Sequence, residues 1–208
     1  MKGPPRMLNE RKEGVSVFSI LCGVLISLIV AAFLFELWMV NTFTSVRISG
    51  SSMRPTLSNG EWVYTRAVEA KRGDIITVDV SGYRDELGRP VFEEEIDVII
   101  KRLIAVEGDT VWCDKEGVVY VQYAGETKPV ALNEPYIASQ TEAFDPVAVG
   151  EGQIFVMGDN RGNSTDSRKV GLLQKKDILG VVTEWSLQHK DFVTKWENFR
   201  GGFRSLFG

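Results

Sequence analysis

Ser52 is the first group in this chain whose placement could do chemistry. It sits in Ser49-Gly50-Ser51-Ser52-Met53-Arg54-Pro55-Thr56-Leu57, shortly after an uncharged apolar run from Val15 to Phe35. A serine hydroxyl is almost wholly protonated at neutral pH, so it attacks a carbonyl only when a neighbouring base takes its proton. Histidine is the usual base, but the single one here, His189, lies in a polar tail beyond the last strand-forming run. Lys101 is the better alternative, because it interrupts the apolar stretch Ile96-Asp97-Val98-Ile99-Ile100-Lys101-Arg102-Leu103-Ile104. Neighbours on a strand point to opposite faces, so one of Lys101 and Arg102 can be directed inward. A lysine stripped of water has a lowered pKa and becomes a competent base near neutrality. The plainer reading of a lone Lys-Arg pair is a strand edge with both heads in water. A third segment, Gly158-Asp159-Asn160-Arg161-Gly162-Asn163-Ser164-Thr165-Asp166-Ser167-Arg168, follows the apolar run Ile154 to Met157. It is either an exposed turn or a loop whose side chains organise a site, with Asp166 and Arg168 able to pair and brace it.

Any site built from these groups must be positioned by a small β-rich domain next to a membrane. The 208 residues, 44% hydrophobic and 25% charged, suffice for one folded domain plus an anchor. A net charge of -4 without long Lys/Arg blocks argues against nucleic acid as a partner. The run Val15 to Phe35 is long enough, as a helix, to cross a hydrocarbon core of about 30 Å. A cleaved signal peptide is the rival, but its apolar region is usually only about 7–15 residues. Lys2, Arg6, Arg11 and Lys12 precede the span, while only Arg47 and Arg54 follow it closely. That asymmetry predicts a single pass through the plasma membrane, with the N-terminus cytoplasmic and the following domain outside. Trp38 suits an interfacial anchor, and Glu36 can reach the headgroups.

Beyond Asn41 the sequence breaks into short apolar or alternating runs separated by Gly, Asp, Asn and Pro, which predicts strands and turns. The strand candidates are 62–64, 75–80, 96–106, 110–112, 118–123, 154–157 and 178–184, a mainly β fold with no convincing amphipathic helix among them. Residues 81–95 read as a long exposed connection or hairpin tip, with Glu93-Glu94-Glu95 as a solvated face. The predicted divisions are a cytoplasmic segment 1–14, an anchor 15–40, a domain 41–185 and a tail 186–208. Phe192, Trp196, Phe199, Phe203 and Phe207 recur in the tail at spacings near three and four. Either an amphipathic segment lying on the membrane or the domain, or a weakly ordered tail interrupted by Gly201-Gly202, fits that pattern. One histidine and two distant cysteines, Cys22 and Cys113, imply no disulfide, no metal and no cofactor.

Taken together and in order, these segments resemble those of type I signal peptidases, membrane-anchored Ser/Lys endopeptidases. The matching pieces are Ser51 to Leu57, Arg72-Gly73-Asp74-Ile75, Lys101-Arg102 with Gly108-Asp109, and Gly158 to Arg168. The resemblance implies a β-sheet catalytic domain behind one transmembrane helix, and removal of signal peptides from exported preproteins after small-x-small sites. It implies Ser52 as nucleophile, with its backbone N–H in the oxyanion hole, and Lys101 as general base. Ser164 matches the hydroxyl that orients the lysine, and Asp166 and Arg168 match partners behind the site. Ile48, Ser49, Gly50, Met53 and Ile100 match positions that shape the substrate pockets. Some members have a serine where Gly50 stands, whose hydroxyl supplements the oxyanion hole; Gly162, Glu107 and Ala105 also depart from common residues. A peptidase of the same superfamily devoted to one substrate, and a non-catalytic membrane-tethered β-domain that binds peptides, are the rival expectations.

Overall fold

The computed structural model describes residues 16–92 and 96–204. Glu93-Glu94-Glu95, Val15, the basic residues before the span, and the side chains of Phe203 and Phe207 lie outside what it describes. The chain forms two compact units, 1–42 and 43–208.

In the first unit, the apolar run forms α1 (Val17–Thr42), a 26-residue helix that is apolar on every side and has no buried residue. Without a polar face it has no place on a water-exposed surface, and its length suits a bilayer. It continues beyond the end of the uncharged run at Phe35, through Glu36 and Trp38, to Thr42, two residues past the expected anchor boundary at 40.

The second unit is mainly β. It opens with β1 (Thr44–Arg47), β2 (Trp62–Arg66), β3 (Ile75–Asp79) and the nine-residue β4 (Val98–Val106). There follow β5 (Thr110–Cys113), β6 (Val119–Gln122), β7 (Val130–Ala131), β8 (Phe144–Ala148) and β9 (Gln153–Met157). A one-turn helix α2 (Ser167–Val170), β10 (Leu173–Gln174) and β11 (Ile178–Val182) complete the sheets, and α3 (Glu184–Gln188) and α4 (Lys190–Arg204) end the chain. Seven antiparallel strands pair in the order β1-β2-β11-β3-β4-β9-β10, and four in the order β7-β6-β5-β8. Each of the seven expected strands is present. β1, β7, β8 and β10 are additional: two of them have only two residues, and β8 contains Pro146, which a pattern reading takes as a breaker.

Strand β4 lies inside the larger sheet and is covered on both faces. Ile99 and Leu103 join Ile76 and Val78 in one cluster, Ile100 joins Ile75 and Val63 in a second, and Ile104 joins Phe155 and Met157 in a third. The paired residues Lys101 and Ile76 share the first of these faces. Arg102, opposite Ile75 and Met157, takes the other.

The connection 81–92 is docked rather than free. The Tyr83 hydroxyl donates to Asp177 and accepts from the Gln174 N–H, both at 2.7 Å, while Phe92 is buried in the core. The tail is docked as well. α4 lies along β2, where Thr194 Oγ1 accepts from the Trp62 N–H at 2.9 Å and Glu197 accepts from the Tyr64 hydroxyl at 2.7 Å. Val193 is fully buried beneath it.

Candidate active site

Ser52 sits in a tight loop closed at its base by reciprocal backbone bonds, Ile48 N–H to Glu61 O and Gly60 N–H to Ile48 O, each 2.8 Å. Met53 and Leu57 anchor the loop in the core, joined by a turn bond from the Leu57 N–H to the Met53 carbonyl at 2.9 Å. Gly50 has φ of 86°. That left-handed conformation disfavours any side chain, so a serine at this position would be strained here.

Lys101 reaches the loop from the middle of β4. Its Nζ donates to Ser52 Oγ at 2.8 Å and to the Ile100 carbonyl at 2.9 Å, and only 4% of the residue is exposed. Burial pulls its pKa down from the usual 10.5 to about 8, with Asp166 and Asp159 holding it partly up. Arg102 does not point to water either. It grips both Asp159 carboxylate oxygens at 2.8 and 2.6 Å, donates to the Gly73 carbonyl at 2.7 Å, and stacks 3.8 Å over Tyr136. The strand edge with two wet heads is therefore absent.

The 158–168 loop closes the site from the other side. The Asn160 N–H donates to the Ser52 carbonyl at 3.0 Å, Asn160 Nδ2 to the Ser51 carbonyl at 3.0 Å, and Asn163 Nδ2 to Ser51 Oγ at 2.8 Å. Asp166 caps α2, accepts from the Gly158 N–H at 2.9 Å, and is held by Arg168 through two bonds of 2.9 and 2.8 Å. Burial alone would raise the Asp166 carboxyl; the Arg168 guanidinium and the Gly158 N–H outweigh it and hold it below its usual range. Thr56 donates to Asp159, and Arg161 joins the Gly158 carbonyl to Glu134 and Thr141.

Ser164 Oγ is buried without a partner in hydrogen-bond geometry among the described residues, although its proximity helps to lower the Asp166 carboxyl. It lies where Gly158 meets Ser52. A Cβ on Gly158 would collide with Ser164 Oγ and fall 2.5 Å from the Ser52 carbonyl oxygen.

Ser52, Lys101, Ser164, Asp166 and Arg168 thus converge. Ser49, Gly50 and Ile100 line a cleft of about 480 Å³ beside Ser52 and Lys101. Ile48 and Met53 lie instead in the core. Asp159, Asn160 and Asn163 carry bonds to the Ser52 loop, and Gly158 a close approach to it, that sequence reading did not assign. Their signal was only the density of Gly, Asn and Asp in one run. His189 is exposed at the end of α3, stacked on Trp185.

A sequence model described as signal peptidase, peptidase S26, matches residues 19–186. The chain belongs to the signal peptidase family. Curated relatives agree: it is 35% identical over 182 residues to signal peptidase I of Bacillus licheniformis, covering 79% of this chain and 83% of the relative. It is 35% identical over 180 residues to signal peptidase I T of Bacillus subtilis strain 168, covering 78% and 79%. A crystal structure of a signal peptidase I from Enterococcus faecalis V583 aligns with 56% of this chain and 98% of its own, at 27% identity and a TM-score of 0.42. The sequence matches carry the assignment. This signal peptidase is accordingly a protease of preproteins bearing signal peptides, with an apolar N-terminal helix suited to anchoring it in a membrane.

Proposed function

We propose that Ser52 and Lys101 form the catalytic dyad with which this signal peptidase removes N-terminal signal peptides after small-x-small sites on exported preproteins. The observation that carries the reading is the 2.8 Å contact between Lys101 Nζ and Ser52 Oγ, made by a lysine buried deeply enough to lose its proton near pH 8. In its neutral form the amine accepts the Ser52 proton while Oγ attacks the scissile carbonyl. Protonated Lys101 then delivers that proton to the departing amine. Water, deprotonated by the same amine, hydrolyses the acyl-enzyme.

The peptide unit between Ser51 and Ser52 supplies an N–H for the developing oxyanion, an interaction worth about 2.7–4 kcal/mol per donor in other enzymes. Its plane is steadied by Asn160 Nδ2 on the Ser51 carbonyl. Ser164, Asp166 and Arg168 support the lysine side of the site, while Ser49, Gly50 and Ile100 shape the substrate cleft, with Ile48 and Met53 backing it from the core. The apolar helix spans the plasma membrane once, with the N-terminus cytoplasmic and the β domain outside, where signal peptides emerge.

Purified Ser52→Ala and Lys101→Ala proteins, assayed on a membrane-embedded preprotein, should each lose processing while keeping the wild-type circular dichroism and melting cooperativity. Retained cleavage by either folded variant refutes the dyad.

A further inference from the structure

Glu134, Tyr136 and Thr141 contribute nothing to the lining of the cleft, yet they hold both arginines that grip the loop beside Ser52. Arg102 meets Asp159 by its edge: Nε and Nη2 donate to the two carboxylate oxygens at 2.8 and 2.6 Å, and Nη1 donates to the Gly73 carbonyl at 2.7 Å. The same carboxylate accepts from Thr56 of the Ser52 loop. One pair thus joins the strand that carries Lys101 to both loops of the site. An edge-on grip leaves the guanidinium plane free to tilt about the line of its bonds. Tyr136 removes that freedom, because its ring centre lies 3.8 Å from the guanidinium carbon, a cation–π contact that also keeps water off one face of the ion pair.

The ring is itself fixed. Its hydroxyl donates to Glu134 Oε1 at 2.9 Å, and both Glu134 carboxylate oxygens accept from Arg161. The Arg161 side chain, wholly buried, passes on to Thr141 Oγ1 at 2.6 Å and to the Gly158 carbonyl at 3.2 Å. The two arginines therefore end on consecutive residues, Gly158 and Asp159. Asn160 comes next, and its main chain and side chain hold the Ser52 and Ser51 carbonyls. Buried ion pairs of this kind add little net stability once desolvation is counted. Two of them side by side, just ahead of the residue that holds the Ser52 loop, point to a demand for placement.

We infer that Tyr136, with Glu134 behind it, is a positioning residue for the peptidase reaction. Through Arg102 and Asp159 it sets where the 158–160 turn meets the Ser52 loop, and so the geometry in which Ser52 faces Lys101. The inference rests on the Ser52–Lys101 reading.

The test is steady-state kinetics of the full chain in detergent micelles on a preprotein, with thermal melting of every variant. Tyr136→Leu keeps an apolar side chain but loses the ring and the hydroxyl, and should lower kcat about tenfold at nearly unchanged KM, as misplacement of reacting groups does. Tyr136→Phe keeps the ring over Arg102 and should recover most of that loss. Tyr136 and Thr56 have no bond to each other among the described residues, yet both act on Asp159. Thr56→Val should therefore lower kcat alone, and joined with Tyr136→Leu the total loss should stay well short of the product of the two. Glu134→Gln, nearly unchanged in size, should lower kcat about threefold without moving KM; it decides the matter if Tyr136→Leu does not melt cooperatively. Full kcat in the folded variants, a rise in KM alone, a loss that Tyr136→Phe does not recover, or independent effects of Thr56→Val and Tyr136→Leu each overturn the inference. Cleavage retained by Ser52→Ala or Lys101→Ala refutes the dyad and this inference with it; a dyad upheld beside full kcat in these variants refutes the inference alone.

Discussion

As the proposed base, Lys101 would trade stability for reactivity. Its pKa falls from 10.5 free to about 8 folded, so below about pH 8 both states carry the proton and the folded one bears the full cost of a buried charge. That cost is about 3 kcal/mol from the shift alone. Between about 8 and 10.5 the unfolded chain binds more protons than the folded one, so stability rises with pH through this window. Lys101→Met should therefore melt higher than wild type at pH 7 by an amount equivalent to about 3 kcal/mol. Its stability should also be flat across the window in which wild type gains, as measured by denaturant titrations at several pH values. Wild-type kcat/KM should climb through about pH 8 as the amine becomes neutral; a profile already level at pH 6 contradicts that role. Gly158 makes the opposite kind of contribution, by having no side chain where Ser52 and Ser164 meet. Gly158→Ala should push the two apart, costing about 1–3 kcal/mol of stability and a far larger share of kcat, readable by comparing melting with turnover.

At the level of elements, the site is a strand clamped against two loops; all three segments were legible beforehand, and the ties that clamp them were not. The alternation around Lys101 and the apolar residues flanking it gave β4 and the divergence of Lys101 from Arg102. What they could not give was the fate of Arg102, because its partner Asp159 lies 57 positions away and Tyr136 belongs to an irregular segment. The tail was equally ambiguous: ring spacing is the same for a helix on a membrane, on a domain or in solution. The settling contacts, Thr194 with Trp62 and Glu197 with Tyr64, span more than 130 positions. Asn160 belongs to this unreadable class. Asn160→Ala frees the Ser51 carbonyl and lets the adjoining N–H wander, so kcat should fall about 10- to 100-fold with KM nearly unchanged. A rise in KM at constant kcat would place Asn160 in substrate binding instead.

The whole molecule divides cleanly after Thr42, and the second unit contains all three buried clusters together with the cleft. A fragment of residues 43–208 should fold cooperatively without detergent and cleave a short soluble peptide; absence of a melting transition would show that the anchor belongs to the fold. Within that unit, the order in which the pieces are made has a consequence. Ser51 and its neighbour Ser52 are tied down by Asn160 and Asn163, which lie 109 and 112 positions after Ser51. A ribosome releases Ser51 and Ser52 early and the residues that restrain them late. Until those residues have docked, the Ser51 carbonyl and hydroxyl lack the ties that Asn160 and Asn163 give them. If Ser52 is the nucleophile proposed above, proteolytic activity should appear only once residues through Asn163 have been made and docked.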